Sequence, residues 1–173
     1  MSLASHRSTP ASVVTGQKKM KTYRFGQDRI NDVKKKLVNL NDEEYDYEIF
    51  DFLSEKVNVN ESLTKLQEEL LATYVLEFEV DNGGFDQFYN NNEDQYVDAA
   101  IDGLKRIGAV DYAQLTESSK KIREDEKENP KKGRNHDYDP IDDKFYELES
   151  YSSQRLKFIK DHLDEILIDE SGQ

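Results

Sequence analysis

Residues 61–81 constrain the fold most, because these 21 positions contain neither glycine nor proline. The large apolar side chains in this stretch recur every three or four residues, at Leu63, Leu66, Leu70, Tyr74 and Phe78. That period places them on one face of an α-helix, which we expect to lie in a core. No segment alternates apolar and polar residues for long enough to indicate a strand. The sequence therefore predicts an all-α fold.

The same helical period recurs in six other segments, at residues 28–40, 42–57, 93–107, 111–126, 142–148 and 150–168. Together they predict one compact domain of six to seven helices over residues 22–170. Residues 1–21 begin with many serines, threonines and alanines, and we expect them to be an unstructured tail or an artificial extension. Residues 82–84, Asn-Gly-Gly, are expected to end the long helix, and residues 85–89 to form a short aromatic turn.

Charge is distributed unevenly along the chain, whose formal net charge is −13. Residues 1–40 contain nine basic and two acidic side chains, for a net charge of +7, whereas residues 41–173 contain fifteen basic and 35 acidic ones, for −20. A body with this charge repels nucleic acid and attracts basic surfaces. The alternative interpretation is that the acids serve only solubility.

The residue types needed for catalysis or metal binding form no recognisable pattern. The chain has no cysteine, and its three histidines lie far apart at His6, His136 and His162. None of the short motifs typical of phosphate loops, nucleophile elbows or zinc helices is present. We therefore predict no metal, no cofactor and no enzymatic activity. Because no apolar run approaches the roughly 18 residues of a membrane helix, and no secretory leader is recognisable, we expect a cytoplasmic protein without membrane contact.

One group of acids has a geometry that suggests a function. Four carboxylates occupy positions i, i+4, i+7 and i+11 of the helix predicted at residues 42–57, namely Glu44, Glu48, Asp51 and Glu55. Neighbours in such a row stand roughly 4.5–6 Å apart along the axis, slightly more than the ~3.4 Å step of phosphates on one DNA strand. We predict that this row is exposed, that Glu68 and Glu69 extend it, and that it binds a partner.

Three ordered motifs carry a resemblance to a known family. They are Asn-Gly-Gly-Phe-Asp-Gln-Phe-Tyr-Asn at residues 82–90, the helix end Ala-Ala-Ile-Asp-Gly-Leu-Lys-Arg-Ile-Gly-Ala at 99–109, and Ile-Asp-Asp-Lys-Phe-Tyr-Glu-Leu at 141–148. Over residues 70–148 the chain resembles the bacterial DNA-mimic-protein-like domain family. The resemblance implies an all-helical domain, often dimeric, whose described member displays acids like DNA phosphates and keeps a regulator off its operator.

On this resemblance we expect the partner to be a basic DNA-binding protein in a transcription-regulating system, and no direct nucleic-acid binding by the acidic body. A homodimer is consistent with it. The first motif has two interpretations of its own. Either its side chains complete the fold around a helix end, or they line a pocket for a peptide, ligand or substrate. The residues concerned are Asn82, Gly83, Gly84, Phe85, Gln87, Phe88, Tyr89 and Asn90.

Overall fold

A computed structural model describes residues 26–168, which form eight α-helices and one short 3₁₀ helix. The helices are α1 (Gln27–Leu37), α2 (Asp42–Asn58), α3 (Lys65–Asn92), α4 (Val97–Ile107), α5 (Val110–Glu128), the 3₁₀ helix His136–Tyr138, α6 (Asp139–Glu147), α7 (Ser152–Asp161) and α8 (Leu163–Ile166). The all-α prediction is confirmed. The expected tail at residues 1–21 lies outside the described residues.

Reciprocal hydrogen bonds fix where α2 and α3 begin. The Asn41 side chain accepts from the Glu44 backbone N–H at 3.0 Å, and the Glu44 carboxylate accepts from the Asn41 N–H at 3.1 Å. Thr64 and Gln67 form the same arrangement ahead of α3. Each capping box satisfies two backbone donors that a helix start leaves free. The long helix therefore starts at Lys65, later than the sequence pattern indicates.

The two adjacent glycines interrupt the helical geometry of α3, as the sequence predicts, and two helical segments meet there at a bend. Gly83 has φ −166° and ψ 21°, and Gly84 has φ 75° and ψ −176°, a combination that essentially only glycine adopts. The chain returns to helical geometry after Gly84 and remains helical to Asn92. The expectation of a short aromatic turn at residues 85–89 is therefore wrong. The helix resumes because another segment satisfies its first free N–H, as described below.

Two hydrophobic cores share the central helix α3. One joins α3 residues from both sides of the bend to α4, α5 and α6, and it buries the aromatic rings of Phe85, Phe88, Tyr89, Tyr138 and Phe145. The other joins the first half of α3 to α1, α2, α7 and α8. Since α3 contributes to both, it is the central helix, and it packs most extensively against α4.

Two further expectations need correction. The described residues contain more helices than the six to seven predicted, partly because the chain leaves helical geometry at His162 and divides the last predicted helix into α7 and α8. The stripe on α3 does not stay buried, since Leu70 and Tyr74 are in the core while Phe78 is 48% exposed. Each step of four residues advances about 40° beyond a full turn, so the stripe drifts off the core face.

Candidate interaction surface

The predicted acidic row on α2 faces a basic side chain of α1. Arg29 lies among three of its carboxylates, with Nε 2.6 Å from Glu55, Nη1 3.3 Å from Glu48 and Nη2 3.3 Å from Asp51. Lys36 adds a second contact to Glu48 at 2.9 Å. These contacts place α1 along α2 and neutralise much of the row. The chain's own basic helix therefore occupies most of this set of acids.

The expectation that the whole row is open to solvent is consequently wrong. The side chains of Glu48 and Glu55 are only 14% and 29% exposed, whereas that of Asp51 is 53% exposed. Glu44 is exposed, but its carboxylate belongs to the capping box at the start of α2. The acids point to one side as the spacing requires. The basic side chains that face these acids, Arg29 and Lys36, are separated from them by 12 to 26 positions along the chain.

The two acids expected to extend the row lie in different environments. Glu68 is exposed near the start of α3. Glu69, the next residue, is buried, and its side chain is 2% exposed. Its carboxylate is held by Arg106 of α4 at 2.5 Å and by Lys65 at 3.3 Å. Adjacent helical residues point about 100° apart, so only one of them stays on the solvent face.

The Asn-Gly-Gly-Phe motif and the Ile-Asp-Asp-Lys-Phe-Tyr motif form one structural unit. The Oδ1 atom of Asp142, from the second motif, accepts a hydrogen bond of 2.8 Å from the Phe85 N–H, although 57 residues separate them. Asp142 is buried, and Arg134 lies 3.3 Å from its other oxygen. A Cβ at Gly84 would overlap with this carboxylate. Asp142 thus caps the helix after the bend, and the missing side chain of Gly84 leaves room for it.

The remaining motif side chains also serve the fold. Phe85, Phe88 and Tyr89 are buried, and the Tyr89 hydroxyl lies 3.1 Å from the hydroxyl of Ser119. The Gln87 side chain donates to the Glu79 carboxylate at 2.9 Å.

A Cβ at Gly83 would overlap with the side chain of Gln87. Asn82 and Asn90 are exposed, and Asn90 donates to Asp86 at 3.0 Å. The motif is filled by its own side chains, so its geometry favours the structural interpretation over a pocket.

A different group of acids lines two adjoining clefts. Asp111 and Glu149 line a cleft of about 250 Å³, and Glu77 and Asp81 line one of about 150 Å³. Tyr112 and Leu148 belong to the walls of both clefts, so the four carboxylates surround one region. We call Asp81, Asp111 and Glu149 the cleft acids.

Unlike the row on α2, the cleft acids have no cationic partner within residues 26–168, whereas Glu77 is held by Arg155 at 2.7 Å. Burial and, secondarily, the charge of Glu77 raise the pKa of the Asp81 carboxyl above its ordinary value. The sequence gives no signal for this grouping, because its members come from α3, α5 and the segment between α6 and α7.

Among the described residues, no group of three or more histidine, aspartate or glutamate side chains is arranged to hold a metal ion. No helix within residues 26–168 combines the length and apolar character that crossing a bilayer requires. The fold and these surfaces define an acidic, all-helical protein whose exposed carboxylates are its most prominent chemical feature.

A protein-family model described as DMP19-like protein matches residues 61–162, and the chain belongs to this family. No curated protein and no solved structure matches the chain. The family match includes α3 to α7 and all three cleft acids, but neither α1 nor the row on α2.

Proposed function

We propose that the protein is an acidic protein-binding module, a DNA mimic that occupies the DNA-binding surface of a basic regulator. The observation that carries the proposal is the grouping of the cleft acids, Asp81, Asp111 and Glu149, around one region without a cationic partner in the described part of the chain. Carboxylates left unpaired at a surface attract the arginines and lysines that otherwise bind phosphate.

Two further facts support this assignment. The family is named after a DNA mimic protein, and its match includes the cleft acids while leaving out the row on α2. Residues 26–168 contain 35 acidic and 19 basic side chains, for a net charge of −16. In this proposal the exposed members of the predicted acidic face, Glu44, Asp51 and Glu68, contribute to the outer part of the contact.

The proposal is tested by capture from a native lysate with the immobilised full-length chain. We expect the captured protein to bind duplex DNA, and we expect added duplex DNA to release it, because both ligands use the same basic surface. Release should also rise steeply with ionic strength, since exposed charges are screened within about 8–10 Å at moderate salt. Failure to capture any DNA-binding protein, or capture that duplex DNA leaves unchanged, would contradict the proposal.

A triple variant then assigns the surface. Asp81→Asn, Asp111→Asn and Glu149→Gln together remove three charges and should lower partner affinity at least about tenfold at low salt, the effect of ~1.4 kcal/mol. The matched control combines Glu93→Gln, Glu124→Gln and Glu128→Gln, which removes the same charge from other exposed positions. Residues 111 and 124 are about 20 Å apart along α5, so the control alters a different region. Equal losses in both variants would mean that only net charge matters.

A further inference from the structure

Three aromatic side chains form an exposed patch where α2 meets α3. Tyr47 is 63% exposed and Phe78 is 48% exposed, and Phe50 is partly buried between them. The ring of Phe50 lies 6.0 Å from that of Tyr47 and 5.0 Å from that of Phe78, the second pair in a T-shaped arrangement. We call Tyr47, Phe50 and Phe78 the aromatic patch. Large aromatic rings in this state of exposure are typical of contact surfaces.

Carboxylates flank this patch on both helices. Glu43 and Asp51 lie four residues before and after Tyr47, and Asp81 lies three residues after Phe78, so each is a neighbour on the same helix surface. Glu43 and Asp81 are exposed and have no cationic partner within residues 26–168. Asp81 is also one of the cleft acids. The patch therefore adjoins the surface to which we assign partner binding.

The buried end of the same aromatic cluster already holds an arginine. The guanidinium of Arg155 lies 3.8 Å from the centre of the Tyr74 ring, and Tyr74 contacts both Phe50 and Phe78. Two carboxylates complete this site, with Asp46 at 2.8 Å and Glu77 at 2.7 Å. Arg155 is buried, so the chain uses stacking on an aromatic face together with carboxylates to hold a guanidinium out of water.

We propose that the aromatic patch binds an arginine side chain presented by the basic partner, with a ring of the patch beneath the guanidinium and the flanking acids around it. The inference rests on the proposed function for the nature of the partner. The exposed end of the cluster has the components of the Arg155 site, namely aromatic faces and carboxylates. Of its flanking acids, Asp51 pairs with Arg29, whereas Glu43 and Asp81 have no guanidinium beside them within residues 26–168. Charge complementarity selects a basic segment. The aromatic faces select arginine over lysine, because the planar guanidinium stacks on a ring as well as pairing with carboxylates.

The test uses two labelled peptides of equal length and charge, one alternating arginine with glycine and the other alternating lysine with glycine. Their binding to the full-length chain is measured by fluorescence anisotropy at fixed ionic strength. We expect the arginine peptide to bind more tightly. The double variant Tyr47→Leu/Phe78→Leu, which keeps apolar bulk but removes both rings, should weaken binding of the arginine peptide about tenfold and barely change that of the lysine peptide.

Val38→Ala is the control, because it alters an exposed apolar side chain immediately after α1 and outside the patch. Equal weakening of both peptides in the double variant, or no arginine preference in the parent, would overturn the inference.

Sedimentation of the parent and the double variant tests whether a second copy of the chain binds the patch instead. Self-association that depends on the two rings would assign the patch to that second copy and overturn the inference. If a DNA-competed partner is captured equally well by the double variant, the inference fails while the proposed function stands. If no DNA-competed partner is captured, the proposed function fails, and the peptide measurement still decides whether the patch prefers arginine to lysine.

Discussion

Replacing Asp142 with alanine tests whether the two family motifs act as one structural unit. The substitution removes the oxygen that accepts the 2.8 Å hydrogen bond from the Phe85 N–H, and Phe85 is fully buried. A buried donor left without an acceptor costs about 1–3 kcal/mol of folding stability. Loss of a helix cap costs ~1 kcal/mol, and because both figures describe the same lost hydrogen bond, they are not added. Removing a desolvated charge offsets part of this cost. We expect a net loss of about 2 kcal/mol, which corresponds to a melting temperature lower by ~4–8 °C for a chain of this size.

Thermal and denaturant unfolding followed by circular dichroism measure this effect, with two control variants. Asp142→Asn keeps an acceptor oxygen in the same place and should cost less than about 1 kcal/mol. Asp143→Ala changes the exposed neighbour and should be nearly neutral. The capping argument is refuted if Asp142→Ala and Asp142→Asn lose the same stability.

The comparison of the parent with Asp142→Asn also has an expected pH dependence. Burial raises the pKa of the Asp142 carboxyl, although the Phe85 N–H and Arg134 oppose the shift. The folded state therefore binds this proton more tightly than the unfolded state does. The stabilisation that protonation provides is complete below the ordinary carboxyl pKa of ~3.9 and is lost as the pH rises through the folded-state pKa. The free energy of unfolding of the parent, relative to the variant, should fall over that interval.

Two further substitutions test the bend and the contact between α1 and α2. Gly84→Ala should cost about 3 kcal/mol or more in denaturant unfolding, because its φ of 75° is strained for alanine and its Cβ overlaps with Asp142. Gly108→Ala, with φ 86° and open space around the Cβ, should cost ~1 kcal/mol, and similar losses at both glycines would refute the steric argument. Arg29→Gln should raise amide hydrogen exchange across α1, since it leaves three carboxylates facing one another. Lys35→Gln, at a side chain that is 78% exposed, should leave exchange unchanged, and unchanged exchange in Arg29→Gln would mean that apolar packing alone holds α1.

The sequence by itself determined the fold class and part of the buried face of α3. Helical spacing correctly indicated that Leu70 and Tyr74 of α3 lie in a core. The motifs correctly indicated the family. These inferences succeed because apolar periodicity and short motifs are local properties, read from residues only a few positions apart.

Only the tertiary structure decided what each surface faces. The spacing of the row on α2 was correct, but Arg29 of a separate helix lies against Glu48 and Glu55. The role of Gly84 likewise depended on Asp142, which is 57 residues from Phe85 in sequence and in contact with it in space. A charge can be counted from sequence, whereas its pairing depends on which helices pack together. That packing is set by the shape and burial of complete helix faces, which no single segment encodes.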